Sequence, residues 1–396
     1  MSEFHEFAEI LLAKLLKISL EELDSALSNT EAEYTIVKIT KKIRGYRTIF
    51  IPSNSLKKIQ KRILKLLRKI YDTRPHGLFG CHKGTSYVGH ALYHADAKWV
   101  FQFDLKDAFP SVNVVKLREI LKDAFFRALE DLENVGSCWH NTYCKLQEAK
   151  KQRDIWRLRW TKYDFKGITK RFSYSIFSLS ELLNMMVKNP DGRNIWLLPY
   201  KEELASEFAD LVIRLVTING VLPQGTPTAP FLFHIAIARS GLFYKLESIL
   251  HNCSFSVYVD NFVVSAQKPI PISKQKELCK IVEEFGFQAN PLKTKHQGAK
   301  YGLPLITGLR TRMIDITVEG PGLFEEIGYS YGKAILPKKV IRRWRGLIHR
   351  AVFEPALRPK VQRFISSLKP IYGTELPLQI QKPYQRLLEK CSNKVV

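Results

Sequence analysis

The sequence predicts an α+β fold, because strand patterns and amphipathic helix patterns occur in the same chain. Residues 99–103 form an apolar, aromatic run typical of a buried strand, and residues 254–264 predict two strands joined by a tight turn. Residues 56–70 carry apolar side chains at helical spacing. A chain of 396 residues with 45% hydrophobic content is long enough to bury several cores.

The N-terminal part predicts helices on either side of a strand pair. Residues 4–27 have a helical pattern and predict an N-terminal cap. Residues 34–51 alternate as two strands that turn at Gly45, and the helix of residues 56–70 follows. The lysines and arginines of that helix lie off its apolar stripe. Such a basic face is either simply solvated or lies near a nucleic-acid strand.

The long segment of residues 112–217 contains a basic stretch with two open interpretations. Residues 145–171 hold ten Lys or Arg and three acids, interleaved with tryptophan, tyrosine and phenylalanine. Basic and aromatic side chains together suit phosphate contact and base stacking. An amphipathic helix whose tryptophans lie in a core would give the same pattern.

The C-terminal part predicts helices with one basic face. From Lys338 to Lys369 there are ten basic residues and Glu354 as the one acid, with apolar residues at helical spacing. One face of such helices would be buried, and the other would contact a nucleic-acid backbone.

Charge and hydropathy favour a nucleic-acid partner over a membrane. The chain has 62 Lys plus Arg against 38 Asp plus Glu, a formal net charge of +24, which favours binding to a polyanion through counterion release. The sequence has no apolar run long enough to span a bilayer, and its N-terminus is acidic rather than a basic signal region. We therefore expect a soluble, cytosolic protein.

The six cysteines predict reduced thiols rather than a metal site. They show no Cys-x-x-Cys pair. Cys138, His140 and Cys144 could form part of a zinc site, but a fourth ligand at ordinary spacing is missing.

Two separated carboxylates predict a metal site. Asp104 ends the strand of residues 99–103, and Asp260 lies at the corner of the predicted hairpin, in an expected two-residue turn of Asp260 and Asn261. Phosphoryl transfer is commonly run by two divalent ions about 3.5–4 Å apart, and hard cations take oxygen ligands. We expect two Mg²⁺ ions here, with Mn²⁺ as an alternative.

The order of five motifs resembles that of reverse transcriptases. The segment of residues 103–109 is followed by the Pro- and Gly-rich loop of residues 220–230 and then by residues 258–261, and residues 41–52 and 290–294 match flanking motifs. The resemblance implies a right-hand polymerase fold. Its parts would be an N-terminal cap (1–30), fingers (31–98), a ferredoxin-like palm with a basic insertion at about 113–217 (99–310) and a helical thumb (311–396).

The resemblance also implies roles for individual residues. The catalytic residues would be Asp104, Asp260 and Lys293, with Lys293 as proton donor to the leaving pyrophosphate. The metal ligands would be Asp104, Leu105, Asp260 and Asn261. The nucleotide-binding residues would be Lys42, Arg47, Phe109, Gln224 and Gly225, with the Phe109 ring under the sugar, where it excludes a 2′-hydroxyl.

Two shorter matches are similar to the retron branch of that family. His90-Ala-Leu-Tyr-His94 resembles an Asn-Ala-x-x-His box, with His90 in place of Asn, and Ile306-Thr307-Gly308 resembles a Val-Thr-Gly element that recognises RNA. The RNA-binding residues implied are Thr307, Gly308, Arg342, Arg343 and Arg345.

The implied function is copying of a structured non-coding RNA into a short cDNA, the retron multicopy single-stranded DNA, in bacterial anti-phage defence. The partners would be the chain's own RNA as template and primer, the cDNA product, deoxynucleoside triphosphates and an effector protein. We expect no room for ribonuclease H, integrase or endonuclease domains. The alternatives are another defence-associated or template-independent polymerase of this type, or a catalytically weakened RNA-binding protein.

Asn261 departs from the resemblance, because that family normally has a second Asp there. An amide oxygen can still bind a cation but brings no charge, so ion binding should weaken. Both an active enzyme with altered metal preference and a decayed enzyme kept for RNA binding fit this departure.

Overall fold

The structure, a computed structural model, describes residues 3–40, 45–71, 76–131, 187–188, 194–195, 201–298, 305–319, 326–373 and 376–392. This part of the chain mixes helices and strands, as the α+β class predicts. The helices are α1 (Glu3–Leu16), α2 (Leu20–Ser28), α3 (Asn54–Ile70), α4 (Tyr87–Leu92), α5 (114–131), α6 (Lys201–Val216), α7 (Ala229–Arg239), α8 (Leu242–Ser248), α9 (Ile272–Glu284), α10 (Lys338–Ala351), α11 (Arg358–Tyr372) and α12 (Leu378–Ser392). The strands are β1 (Tyr34–Thr40), β2 (Tyr46–Pro52), β3 (Leu78–Phe79), β4 (Trp99–Asp104), β5 (Val187–Lys188), β6 (Asn194–Ile195), β7 (Ser254–Tyr258), β8 (Asn261–Ala266), β9 (Lys295–Gly298), β10 (Leu305–Ile306), β11 (Leu309–Glu319) and β12 (Glu326–Ile335).

The chain forms two compact units that alternate along the sequence. The first unit consists of Met1–Pro75, Asp107–Phe243 and Glu284–Phe287. The second unit consists of His76–Lys106, Tyr244–Glu283 and Gln288–Val396.

Helices α1, α2, α3 and α6 pack together in the first unit. Buried Gln60 of α3 links two neighbours, since its Nε2 donates to Tyr34 Oη at 2.7 Å and to the Leu215 carbonyl at 3.0 Å. Burial raises the pKa of Tyr34 to about 12, so its hydroxyl stays protonated. The β1–β2 hairpin and α3 confirm the predictions for residues 34–51 and 56–70.

The helical pattern expected at residues 4–27 is confirmed, and it forms two helices because the chain bends between α1 and α2. Lys17 has a φ of 55°, which ends α1. Ser19 then caps α2 by accepting from the Glu22 N–H at 3.1 Å, and the Glu22 carboxylate accepts from the Ser19 N–H at 3.2 Å. This reciprocal capping satisfies amides that a continuous helix would have bonded internally.

A five-stranded sheet forms the centre of the second unit. Its strand order is β3-β7-β8-β4-β9, with β3 parallel to β7 and the other neighbours antiparallel. A second sheet has the order β10-β11-β12. The sheet order brings β4 and β8 side by side although they are far apart in sequence.

The helices expected from residue 311 onward begin later than predicted. Residues 311–335 lie mainly in the long strands β11 and β12, which pair from Arg310↔Ile335 to Glu319↔Glu326. Ile314, Ile316 and Val318 alternate along β11, and β-branched residues at this spacing favour a strand. The helices begin at Lys338, so the helical prediction for residues 338–369 is confirmed.

One apolar core joins α4, the sheets and the C-terminal helices. Val88 and Ala91 of α4 lie in the same buried cluster as Val100 of β4 and Val263 of β8. The C-terminal helices contribute further buried residues to it, namely Ile348, Ala351, Val361, Leu368, Ile380 and Leu387. In addition, the Trp344 and Phe364 rings stack at 3.7 Å between centroids, which fixes α10 against α11.

Some predictions concern residues that the structure does not describe. The basic stretch of residues 145–171, the Cys138–Cys144 set and Lys42 lie outside the described residues. Within the described part, Cys81, Cys253 and Cys279 are not joined to one another by disulfides. No helix of that part is both long and apolar enough to cross a bilayer.

Two buried histidines lie between α4 and the sheet. His90 and His94 are 0% and 1% exposed. His90 Nε2 lies 2.7 Å from Ser256 Oγ, while His94 places Nε2 2.6 Å from Ser256 Oγ and Nδ1 2.7 Å from Ser265 Oγ. Burial, and then the charge of the neighbouring His94, lowers the pKa of His90 to about 2, and burial lowers the pKa of His94 to about 3. Both imidazoles are therefore neutral in the folded protein.

We predict that this pair makes the protein acid-labile. The unfolded chain binds protons near its histidine pKa of 6.5, whereas the folded chain does not, so stability falls as the pH drops below 6.5. Between pH 7.5 and 5.5 the free energy of unfolding should fall by about 1.4 kcal/mol per histidine, or about 3 kcal/mol for the pair. Urea unfolding at the two pH values measures it.

The double variant His90→Gln, His94→Gln is the control. It lacks both titrating rings, so the difference between the two pH values should shrink by about that amount. An equal pH dependence in both proteins would contradict the prediction.

Candidate active site

The register between β4 and β8 places Asp104 directly opposite Asn261. Residues opposite each other in an antiparallel pair have Cα atoms about 4.5–5.5 Å apart and side chains on the same face. The carboxylate and the amide are therefore neighbours. On the other face of the same strands, Phe103 and Phe262 stack at 5.1 Å between centroids.

The hairpin turn is formed by Val259 and Asp260, not by Asp260 and Asn261 as expected. Tyr258 pairs with Asn261, so Asn261 is the first residue of β8. The prediction of Asp260 at the corner is confirmed. Its carbonyl accepts from the Leu105 N–H at 3.4 Å, which places the turn beside the end of β4.

The turn contains an unusual backbone conformation at Val259. Its φ is 57°, a region that β-branched residues rarely adopt and that costs about 1–3 kcal/mol. Two contacts hold it: the Val259 N–H donates to the Phe79 carbonyl at 3.2 Å, and Gly80 lies so close that a Cβ there would be 2.9 Å from Val259 Cγ2. Strand β3 thus supports the turn that carries Asp260.

Lys293 lies on a loop fixed to the end of β4. The Asn290 N–H donates to the Asp104 carbonyl at 2.8 Å, and the Lys106 N–H donates to the Gln288 carbonyl at 2.7 Å. Lys293 Nζ donates to Asp104 Oδ2 at 2.5 Å, with the two side chains 39% and 22% exposed. The structure therefore brings Asp104, Asn261 and Lys293 together.

The donor set suits a hard divalent cation. Asp104 and Asp260 provide carboxylate oxygens and Asn261 provides an amide oxygen at the same end of the sheet, and Mg²⁺ and Mn²⁺ prefer such ligands. Asp104 is half-buried, so it remains reachable by an ion. Leu105, assigned to this set from the resemblance, is buried at the same strand end.

The expected nucleotide-binding residues that the structure describes lie in the first unit. The Gln224 carbonyl accepts from the Phe50 N–H at 2.8 Å, which docks the loop of residues 220–230 on β2. Exposed Arg47 lies on the same strand. Phe109 is 7% exposed and packs edge-to-face on Phe233, with 5.8 Å between ring centroids. The large side chain expected at position 109 is therefore held in a fixed position by Phe233.

The expected RNA-binding residues lie at a turn and on a helix face. Thr307 and Gly308 form the β10–β11 turn with φ values of 45° and 81°. The Thr307 hydroxyl donates to the Tyr87 carbonyl of α4 at 2.9 Å, so this side chain ties the turn to α4. Arg342, Arg343 and Arg345 are exposed on α10.

Comparison with known proteins gives several partial matches, three of which are to retron reverse transcriptases. No protein-family model matches the chain. The retron Se72 reverse transcriptase of Salmonella heidelberg (strain 579083-10) is 32% identical over 113 residues, which cover 28% of this chain and 30% of that protein. The retron Ec86 reverse transcriptase of Escherichia coli is 30% identical over 108 residues, 27% of this chain and 33% of that protein.

The third relative is the retron Mx65 reverse transcriptase of Myxococcus xanthus, 33% identical over 88 residues, which cover 22% of this chain and 20% of that protein. The chain thus spans a third or less of the length of these curated relatives. The resemblance drawn from the motifs, to retron-type reverse transcriptases, is confirmed at this extent.

We predict that Gly225→Ala destabilises the first unit by about 2 kcal/mol or more. Gly225 has a φ of 114°, and a Cβ there would lie 2.7 Å from the Phe50 carbonyl oxygen, so the loop must leave β2. Urea unfolding measures the loss. Gly220→Ala is the control, because Gly220 also has a positive φ, 71°, but nothing within 4 Å, so it should lose only about 1 kcal/mol. Equal losses of unfolding free energy in the two variants would mean that the close contact of residue 225 with β2 does not contribute to stability.

Proposed function

We propose that this protein is an RNA-directed DNA polymerase that copies a structured RNA into a short cDNA. The observation that carries the proposal is the pairing of Asp104 with Asn261 beside Asp260 at one end of the sheet. The similarity to retron reverse transcriptases supports the reaction type. The net charge of +24 supports a nucleic-acid substrate.

In this proposal the second unit performs the chemistry. Two divalent ions, when bound, would stabilise the attacking and leaving oxygens of the transferred phosphate. Asp104 and Asp260 supply the negative charge that holds cations there, and Asn261 supplies a neutral oxygen. Lys293 gives its proton to the leaving pyrophosphate, and for this it must leave the carboxylate of Asp104.

We assign binding of the incoming nucleotide to Arg47, Gln224, Gly225 and Phe109, with Lys42 as a further contact. The guanidinium of Arg47 suits a triphosphate, because it is always charged and presents several donors. The Phe109 ring would exclude a 2′-hydroxyl by its bulk and so select deoxynucleotides.

The RNA would be the chain's own non-coding transcript, as template and primer, and the product would serve bacterial anti-phage defence with an effector protein. Arg342, Arg343 and Arg345 offer exposed positive charges on α10 for its phosphates. Thr307 and Gly308 would contribute through the shape of their turn, since the Thr307 hydroxyl is engaged with α4.

A second candidate is an RNA-binding protein without DNA synthesis, which Asn261 favours. Its amide leaves the ion site one negative charge short of the usual pair. A wild-type protein that binds RNA but makes no cDNA with either Mg²⁺ or Mn²⁺ would support this candidate.

We predict that Asp104→Asn and Asp260→Asn each lower DNA synthesis by about a thousandfold or more, since each removes a charge that holds the ions. RNA affinity should stay near normal. Primer extension and RNA binding measure the two effects. Asp96→Asn is the control, because it makes the same charge change at an exposed site of the same unit. Wild-type synthesis in either test variant would refute the metal assignment.

We predict that Asn261→Asp tightens Mg²⁺ binding, because a carboxylate replaces an amide opposite Asp104. Activity should saturate at lower Mg²⁺, and any advantage of Mn²⁺ should shrink. A metal titration of DNA synthesis measures both. Asn252→Asp makes the same chemical change at an exposed residue before β7 and should have no effect. If the two variants saturate alike, Asn261 does not bind the ions.

We predict that Arg342→Gln, Arg343→Gln and Arg345→Gln together weaken binding of all RNAs alike. Phosphate contacts carry no base information, and each lost contact should flatten the salt dependence by about 0.7–0.9 log unit. Binding across a salt series measures the slope. The control triple Lys268→Gln, Lys276→Gln and Lys280→Gln removes equal charge from exposed sites elsewhere in the unit. Equal slopes in the two triples would remove α10 from the RNA interface.

A further inference from the structure

The short helix α4 is anchored at its first residue by two long-range hydrogen bonds. The Tyr87 hydroxyl donates to the Ser367 carbonyl of α11 at 2.7 Å. The Tyr87 carbonyl accepts from the Thr307 hydroxyl at 2.9 Å. Val88 and Ala91 are buried in the shared core. This helix is therefore a fixed support within the second unit.

His90 connects that support to the hairpin of β7 and β8. Its Nε2 lies 2.7 Å from Ser256 Oγ, and its ring lies 5.3 Å from the Tyr258 ring, tilted by 30°. Ser256 and Tyr258 are two residues apart on β7, so both face α4. Tyr258 immediately precedes the turn that carries Asp260. His90 thus contacts the last two α4-facing side chains before the catalytic turn.

The Ser256 hydroxyl contacts both rings, and it therefore limits which nitrogen of each neutral imidazole carries the hydrogen. Ser256 has one O–H, and it can donate to only one of the two imidazoles. If His90 Nε2–H donates to Ser256, then Ser256 donates to His94 Nε2 and His94 Nδ1–H donates to Ser265. This leaves His90 Nδ1 as an acceptor with no partner among the described residues. The reverse direction would bury an unpaired N–H, which is rarer in proteins.

We propose that His90 is a positioning residue for the catalytic hairpin. Its Nε2–H holds Ser256 and its ring backs Tyr258, and together they keep Asn261 opposite Asp104 and Asp260 at the corner. Because the φ of Val259 is strained, the hairpin should relax to another conformation once the contacts with His90 are lost. None of the atoms of His90 needs to touch substrate for this role.

The first test is hydrogen exchange of the backbone amides in residues 255–262. Removal of a buried hydrogen-bond donor should speed local opening, so His90→Ala should raise exchange there by about tenfold or more, while α11 and α12 exchange as in the wild type. His349→Ala removes an exposed histidine of the same unit and should change nothing in the hairpin. Unchanged hairpin exchange in a folded His90→Ala protein would overturn the proposal.

Two further variants distinguish the effect of the His90 hydrogen bond from the effect of its ring. His90→Gln keeps an N–H donor at similar reach and should restore slow exchange, whereas His90→Phe keeps only a ring and should not. The reverse result would overturn the assigned donor. If His90→Ala fails to fold, Ser256→Ala replaces it, because this change removes the shared hydroxyl and leaves both rings. Wild-type hairpin exchange in Ser256→Ala would then count against the proposal.

The second test is Mn²⁺ binding followed by electron paramagnetic resonance, and this test alone rests on the proposed function. A displaced hairpin should weaken Mn²⁺ binding by about tenfold in His90→Ala, with recovery in His90→Gln. Equal affinity in wild type and His90→Ala would overturn the positioning role. A wild-type protein that binds no Mn²⁺ would instead defeat the proposed function, and the exchange experiment would still decide the role of His90.

Discussion

The antiparallel register of β4 and β8 is the constraint on which the candidate site depends. Side chains alternate between the faces of a sheet, so a slip of one residue would move Asp104 and Asn261 to opposite faces. The Phe103–Phe262 stack on the opposite face opposes such a slip, because both rings are fully buried. Apolar packing on one side of the sheet therefore sets the positions of Asp104 and Asn261 on the other.

A polar network inside an apolar core supports the same hairpin. His90, His94, Ser256 and Ser265 are all buried, and three hydrogen bonds join the two histidines to β7 and β8, with only His90 Nδ1 of the two rings left without a partner among the described residues. Buried polar groups are stable only when they are paired, so the network accepts very few arrangements of α4 against β7 and β8. A sheet held against α4 by apolar contacts alone would tolerate more arrangements of the two elements.

The candidate site contains the positively charged side chain of Lys293, two carboxylates and one uncharged amide. Lys293 already neutralises Asp104 through a short contact, and Asn261 adds none of the charge that a second aspartate would bring. In the proposed function, a bound cation would therefore compete with the ammonium of Lys293 for a site whose negative charge comes from Asp104 and Asp260. In the proposed function, this balance makes metal preference depend on the charge of the side chain at position 261.

The sequence by itself determined the elements whose cause is local. The apolar, aromatic run of residues 99–103, the alternation and turn in residues 254–264 and the apolar stripe of residues 56–70 predicted strands and a helix that the structure contains. These patterns depend on neighbours along the chain. Tertiary structure decided the rest. Val259 rather than Asn261 occupies the turn because of pairing across strands and the support of β3, and the partners of Thr307 and His90 lie 220 and 166 residues away. No local pattern reports which distant group a hydroxyl or an imidazole will meet, since that depends on how the elements pack.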